Sequence, residues 1–176
     1  QTIRTLSTER TIKDMPIVLC STETRIKETY DKDFTSHNLF DWTFIKTEIT
    51  DNTIDKLICL TEGYKTIIKS ASDLKKILNK NPAEIDDRVF SRYNSQISNF
   101  PIHELARTIF RDLVQPIGLL ISEDILFARL GIDKKGSIEL TKILEVFSEQ
   151  KYTAVFGTCW KRWWANSVAE KFYDLN

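Results

Sequence analysis

The sequence predicts a mostly helical protein in two parts: an α/β segment with parallel strands over residues 1–80, and an all-α domain over residues 81–176. Three observations predict it. Two short apolar runs of strand composition, one ending at Cys20 and one at Ile45, fall in the first half. Apolar residues recur at helical spacing through most of the remaining chain. Between the parts, Asn81-Pro82-Ala83-Glu84 joins an Asn cap, a Pro at the first helical position and a Glu at the third, which marks a boundary.

The elements are taken in chain order. Asp14-Met15-Pro16 punctuates the chain, and the run Ile17-Val18-Leu19-Cys20 reads as a buried strand. Residues 23–30 read as an amphipathic helix with Ile26 and Tyr30 four apart, and residues 31–38 as a polar loop. Asp41-Trp42-Thr43-Phe44-Ile45-Lys46 is the second strand. Asp51 or Asn52 then caps a long helix whose apolar face is Ile54, Leu57, Ile58, Thr61, Tyr64, Ile67 and Ile68. Ser72 caps a further piece containing Leu74, Ile77 and Leu78.

Past the boundary every element reads as helix. Residues 102–115 place Ile102, Leu105, Ala106, Ile109, Phe110, Leu113 and Val114 on one face, and Pro116 and Gly118 stop that helix. Ser122 caps the next, with Glu123 and Asp124 suiting its positive end, and Gly131 ends it. Ser137 caps a helix through Leu140, Ile143, Leu144 and Phe147. Thr158 caps the last, with Trp160, Trp163, Trp164, Val168 and Phe172 as its stripe.

Composition narrows the function classes. A folded chain of 176 residues buries roughly 70% of the surface its unfolded form exposes, so it needs no metal or disulfide as a staple. Formal net charge is zero, with 13 basic and 12 acidic side chains before residue 81 and 12 and 13 after it. That balance disfavours a nucleic-acid binder, which concentrates basic charge. Cys20, Cys59 and Cys159 are scattered and odd in number, and read as buried free thiols of a reducing cytoplasm. No run of 18 apolar residues is present to span a membrane. The chain opens on Gln1 rather than Met, so further sequence upstream is expected.

Candidate sites are few. His37 lies in a polar loop and His103 in the first turn of a helix; neither has a second His or a Cys at ligand spacing, and both read as surface or packing residues. Residues 133–139 resemble half a calcium loop, but the register places Gly131, Lys135 and Lys142 where oxygen ligands are required, so the segment reads as a connection between helices. No phosphate-cradling Gly loop, nucleophile elbow or His-Glu-x-x-His pattern occurs, and no cofactor or metal site is expected. Cys159-Trp160-Lys161-Arg162-Trp163-Trp164 sets aromatics beside cations, which can stack bases and grip phosphates. The helical reading instead puts the Trp stripe on one face, for packing or an interface, with Lys161 and Arg162 projecting elsewhere.

Residues 12–68 resemble the second half of a response-regulator receiver domain. Met15-Pro16-Ile17-Val18-Leu19-Cys20-Ser21 is similar to the fourth receiver strand with its terminal Ser or Thr, and Phe44-Ile45-Lys46 to the fifth strand with its Lys. The resemblance implies that Ser21 and Lys46 occupy the positions that contact an aspartyl phosphate. It departs at Thr47, where receivers carry Pro, and in lacking the acidic cluster and acceptor Asp before residue 12. Either that first half lies upstream of residue 1, or the resemblance is to a degenerate receiver-like (pseudo-receiver) half-domain. The expected function is a non-catalytic regulatory and protein-interaction module of a larger bacterial signalling or defence assembly, with a partner protein or an upstream domain. One alternative is a nucleic-acid-binding regulator using Lys161 and Arg162 of the final helix. The other is an enzyme subunit whose active site lies upstream or on another chain.

Overall fold

The computed structural model describes residues 2–32, 39–70, 73–80, 85, 100–132 and 137–175. The boundary signal Asn81-Pro82-Ala83-Glu84, the proposed cap Ser72 and His37 fall outside these, as does the start of the calcium-loop-like segment.

A helix absent from the sequence expectation opens the chain: α1, Thr2–Thr8. The first strand, β1, is Val18–Ser21, and the second, β2, is Trp42–Ile45. They pair in parallel, Val18 opposite Trp42 and Ser21 opposite Ile45. Parallel neighbours need a crossover, and α2, Glu23–Lys32, lies in it. One tight turn, Lys46–Glu48, leads into α3, Asp51–Ser70. Next, α4 spans Leu74–Leu78 and is capped by Asp73, whose carboxylate accepts the Lys76 N–H at 3.0 Å.

The buried face of α3 differs from the predicted one. Thr53, Cys59, Leu60, Gly63, Tyr64, Ile67 and Ser70 are buried. Ile54, Ile58 and Ile68 are 51%, 56% and 45% exposed. Gly63 lies on the buried face. A β-carbon there would meet the ring of Phe156 at 2.2 Å, so the absence of a side chain lets that ring lie against this turn of the helix. Phe156 reaches the position with φ of +67°, a region that side-chain-bearing residues seldom occupy.

The predicted face of 102–115 is buried as expected: Leu105, Ala106, Ile109, Phe110, Leu113 and Val114. The helix itself is unusual. It begins as an α-helix, α5, Ile102–Arg107, and continues as a π-helix over Thr108–Val114, ending before Pro116. Ser122 caps α6, Glu123–Arg129, and Gly131 comes just after it at φ of +68°. Next among the described residues comes α7, Ser137–Val146.

The second part is not all-α. Leu120–Ile121 forms β3 and pairs antiparallel with β4, Trp163–Trp164. The final helix, α8, therefore starts at Ala165 and ends at Asp174, not at the predicted cap Thr158. The backbone of 162–164 is taken up by other partners. Tyr152 N–H donates to the Arg162 carbonyl at 2.8 Å, and Trp164 N–H to that of Gln150 at 2.9 Å. With those groups committed across the chain, the intrahelical ladder cannot form there.

Among the described residues, two apolar clusters form the core. The larger joins Leu60, Tyr64 and Ile67 of α3 and Ile77 and Leu78 of α4 to Leu105, Ile109 and Phe110, with Phe156 and Trp160; Val18 and Trp42 pack against it. The smaller contains Ile121, Leu126, Phe147, Trp163, Ala165 and Val168.

Candidate functional site

The parallel strands present their carboxyl ends side by side. Ser21 closes β1 and is half-buried; Lys46 comes directly after β2 and is exposed. Because Ser21 lies opposite Ile45, Ser21 and Lys46 sit at the same edge. In open parallel sheets this is the end at which ligands bind. Before β1 stands α1 and an extended segment, with Asp14 its only acidic residue after Glu9.

The opposite ends of the strands are tied down by a buried polar network. Arg4 of α1 is buried, and its Nη1 donates to Asp14 Oδ1 at 3.2 Å and to the Met15 carbonyl at 3.0 Å. Its Nη2 donates to Asp41 Oδ2 at 2.5 Å. Asp41 stands just before β2, and its Oδ2 also accepts the Ile17 N–H, just before β1, at 2.6 Å. The Tyr64 hydroxyl of α3 donates to Asp41 Oδ1 at 2.8 Å. Asp14 accepts from His103 of α5 twice, from its N–H and from Nδ1, each at 2.8 Å. Helices α1, α3 and α5 and the starts of both strands thus meet on one guanidinium and two carboxylates.

The electrostatics favour this charge state. Burial pushes the Asp14 carboxyl up, but the His103 hydrogen bonds and the nearby charges of His103 and Arg4 bring it below its ordinary value. An ionised Asp14 can only accept, so His103 Nδ1 carries the proton between them. Burial, then the charge of Asp41, hold the Tyr64 phenol far above its usual value, and it remains a donor. The acids and bases of the network are committed to one another, and their chemistry is cohesive. Sequence reasoning missed Arg4, Asp14 and Asp41; their partners lie up to 89 residues away, and no local pattern marks them.

The C-terminal hexapeptide is distributed rather than aligned. Trp160 belongs to the larger cluster, with its ring edge-on to Phe110 at 4.6 Å and to Trp42 at 5.7 Å. Trp163 and Val168 belong to the smaller cluster. Trp164 is half-buried against Tyr152, ring centroids 5.5 Å apart, and Phe172 is 40% exposed. Lys161 is exposed. Arg162 is anchored: Nε donates to the Val114 carbonyl at 2.8 Å and Nη2 to that of Gln115 at 3.3 Å. It closes the end of the π-helix, which weighs against a phosphate grip shared with Lys161.

The thiols are free. Cys59 is buried as expected and Cys159 is partly buried, but Cys20 is exposed: it shares the face of Val18 yet lies two residues further along β1, beyond the part of that face that the core covers. Among the described residues no His, Cys, Asp and Glu side chains gather as a metal site, and no helix is long and apolar enough to cross a membrane. No protein-family model, curated protein or solved structure matches the chain.

Proposed function

We propose that the chain is a non-catalytic regulatory and protein-interaction module, working within a larger bacterial signalling or defence assembly. In this reading a partner protein or an upstream domain acts on the carboxyl ends of β1 and β2, where Ser21 and Lys46 lie. The helical part carries the response. One observation supports it above the rest. The amino ends of the same two strands share the Asp41 carboxylate, which is also held by Arg4 and by Tyr64 of α3. A displacement of either strand must disturb that carboxylate, and through it the helix that forms the core.

Hydrogen exchange on the intact chain tests the coupling. Ser21→Asp places a charge at the strand ends. It should alter protection in α3 and α5 as well as in β1 and β2, and Asp41→Asn should confine the change to the strands. A Ser21→Asp response limited to residues 18–26 and 42–50 from the outset would sink the reading.

A further inference from the structure

Two thiols far apart in sequence converge on one hydroxyl. Cys59 belongs to α3, and Cys159 to the segment that packs on that helix. The Cys59 sulfur lies 3.0 Å from Thr158 Oγ1, and the same oxygen is 4.0 Å from the Cys159 sulfur. The sulfurs are therefore no further apart than those two distances laid end to end. The Cys159 thiol also donates to the Asp55 carbonyl at 3.2 Å. In an α-helix that carbonyl accepts the N–H four residues on, which is that of Cys59. Cys159 thus sits over the turn of α3 that Cys59 completes.

The contacts these thiols make are weak ones. Sulfur is a poor donor and a poor acceptor, so the bonds to Thr158 and Asp55 give way easily to a covalent one. Burial pushes the Cys159 thiol above its ordinary value, and the adjoining Cys59 thiol pushes it further, as two thiols in mutual reach do. Rotation about χ1 is the motion that brings such sulfurs to bonding distance, about 2 Å. The pair is also accessible. Cys159 is partly exposed, and a cavity of about 370 Å³ lined by Cys59, Gly63, Phe156 and Thr158 opens beside Cys59. On either side of Cys159 the segment is fixed in the core, by Phe156 over Gly63 and by Trp160 against Trp42 and Phe110.

We propose that Cys59 and Cys159 form a reversible intramolecular disulfide, a redox-sensitive clasp that ties the 156–160 segment to α3. The oxidant is a small-molecule disulfide such as oxidised glutathione. Cys159, the more exposed thiol, loses its proton to solvent, and its thiolate attacks one sulfur of the reagent and expels the other as a thiolate. The Cys59 thiolate then displaces the second reagent thiolate from the mixed disulfide. Two protein thiols are oxidised to one disulfide while the reagent's disulfide is reduced to two thiols, which take up the two protons released. The bond closes the long loop between α3 and the 156–160 segment, which restricts the unfolded chain and makes the oxidised form the more stable. The clasp uses none of the residues of the Asp41 network, so it stands or falls separately from the regulatory reading.

Incubating the full chain, at dilute protein, with graded ratios of oxidised to reduced glutathione tests it, read by peptide mapping and thermal melts. The expected product is a peptide pair joined through Cys59 and Cys159 within one chain, formed as the ratio rises and lost as it falls. The melting temperature should rise by about 5 °C or more on oxidation and return on reduction. Cys59→Ser and Cys159→Ser should each abolish that rise, whereas Cys20→Ser, on β1, should retain it. Melts under reducing conditions establish that each variant folds; if Cys59→Ser does not, Cys159→Ser decides alone. Glutathione left on Cys159 with no bond to Cys59 overturns the proposal, as does a cross-link through Cys20 or between two chains. A Cys59–Cys159 bond that leaves the melting temperature unchanged removes the clasp. One that excess reduced glutathione cannot open is a fixed bond, and the switch is then wrong.

Discussion

His103 holds the Asp14 carboxylate by both its backbone N–H and its ring Nδ1, each at 2.8 Å, although 89 residues separate them. The contact gives α5 a cap at its start that its own N-cap residue, Pro101, does not supply. It also sets a pH dependence. Asp14 is depressed in the folded chain relative to its ordinary 3.8. Its contribution is therefore fully present above the unfolded value and is lost as pH falls through the folded one. Urea melts taken from about pH 6 down to about pH 2 should show stability falling with acid, and Asp14→Asn should flatten part of that fall. At neutral pH Asp14→Ala leaves His103 without its acceptor while Arg4 keeps Asp41 and the Met15 carbonyl, and should cost about 1–3 kcal/mol. Equal acid sensitivity in Asp14→Asn and wild type would contradict this.

Gly63→Ala tests the approach of Phe156 to α3. Alanine gains about 1 kcal/mol over glycine from helix propensity. The added carbon would lie 2.2 Å from the Phe156 ring, which is itself held against Phe110 at 5.3 Å. Overpacking of this kind costs about 1–3 kcal/mol and should win. The variant should therefore melt lower, and Phe156→Leu in the same chain should recover part of the loss.

Arg162→Ala removes the donors to the Val114 and Gln115 carbonyls. Leaving such groups unsatisfied costs about 1–3 kcal/mol each when water cannot replace the donor. Gln115 is exposed, so Val114, which is buried, carries the larger share. Lys161→Ala, its exposed neighbour, should fall within about 0.5 kcal/mol of wild type by denaturant titration. Equal effects of the two would reopen a ligand role for the pair.

Within the aromatic segment the variants should separate sharply. Trp160→Ala opens a hole between Phe110 and Trp42 and should cost about 3–5 kcal/mol. Phe172→Ala, four residues beyond Val168 near the end of α8 and 40% exposed, should cost far less, about 1 kcal/mol. Thermal melts of the two variants would separate them, and a large loss in Phe172→Ala would restore the idea of one continuous stripe.

That segment shows what the sequence could and could not reveal. The face of α5 and the π-helix was legible because seven apolar residues repeat over a long stretch, and the Ser122 cap and Gly131 stop because their chemistry is local. The offsets of Trp160, Trp163, Trp164 and Val168 satisfy a helical period equally well, yet the chain is extended at Trp163 and Trp164. Strand neighbours face opposite ways, and these two do so: Trp163 enters the smaller cluster while Trp164 packs against the larger. Only the pairing with Leu120 and Ile121 decides between the readings, and periodicity is blind to it. The strand ends were legible at Ser21 and Lys46. The Arg4, Asp14 and Asp41 network was not, because single charged residues acquire meaning only from distant partners.

The π-helix at Thr108–Val114 bears on how this chain can change over generations. Bonds reaching five residues back take up one residue more per turn than the α form. Such a segment is what an α-helix becomes when it accepts an inserted residue and its packed neighbours refuse to turn. Ile109, Phe110, Leu113 and Val114 are almost wholly inaccessible to water, so rotating either half by the roughly 100° of one residue would drive them out of the core. A widened turn would take up such an insertion without that rotation. By the same logic, this is the stretch of the helix where a single-residue deletion is most readily survived, since the chain can relax to the α form without dislodging Leu105 on one side or Arg162's carbonyl partners on the other.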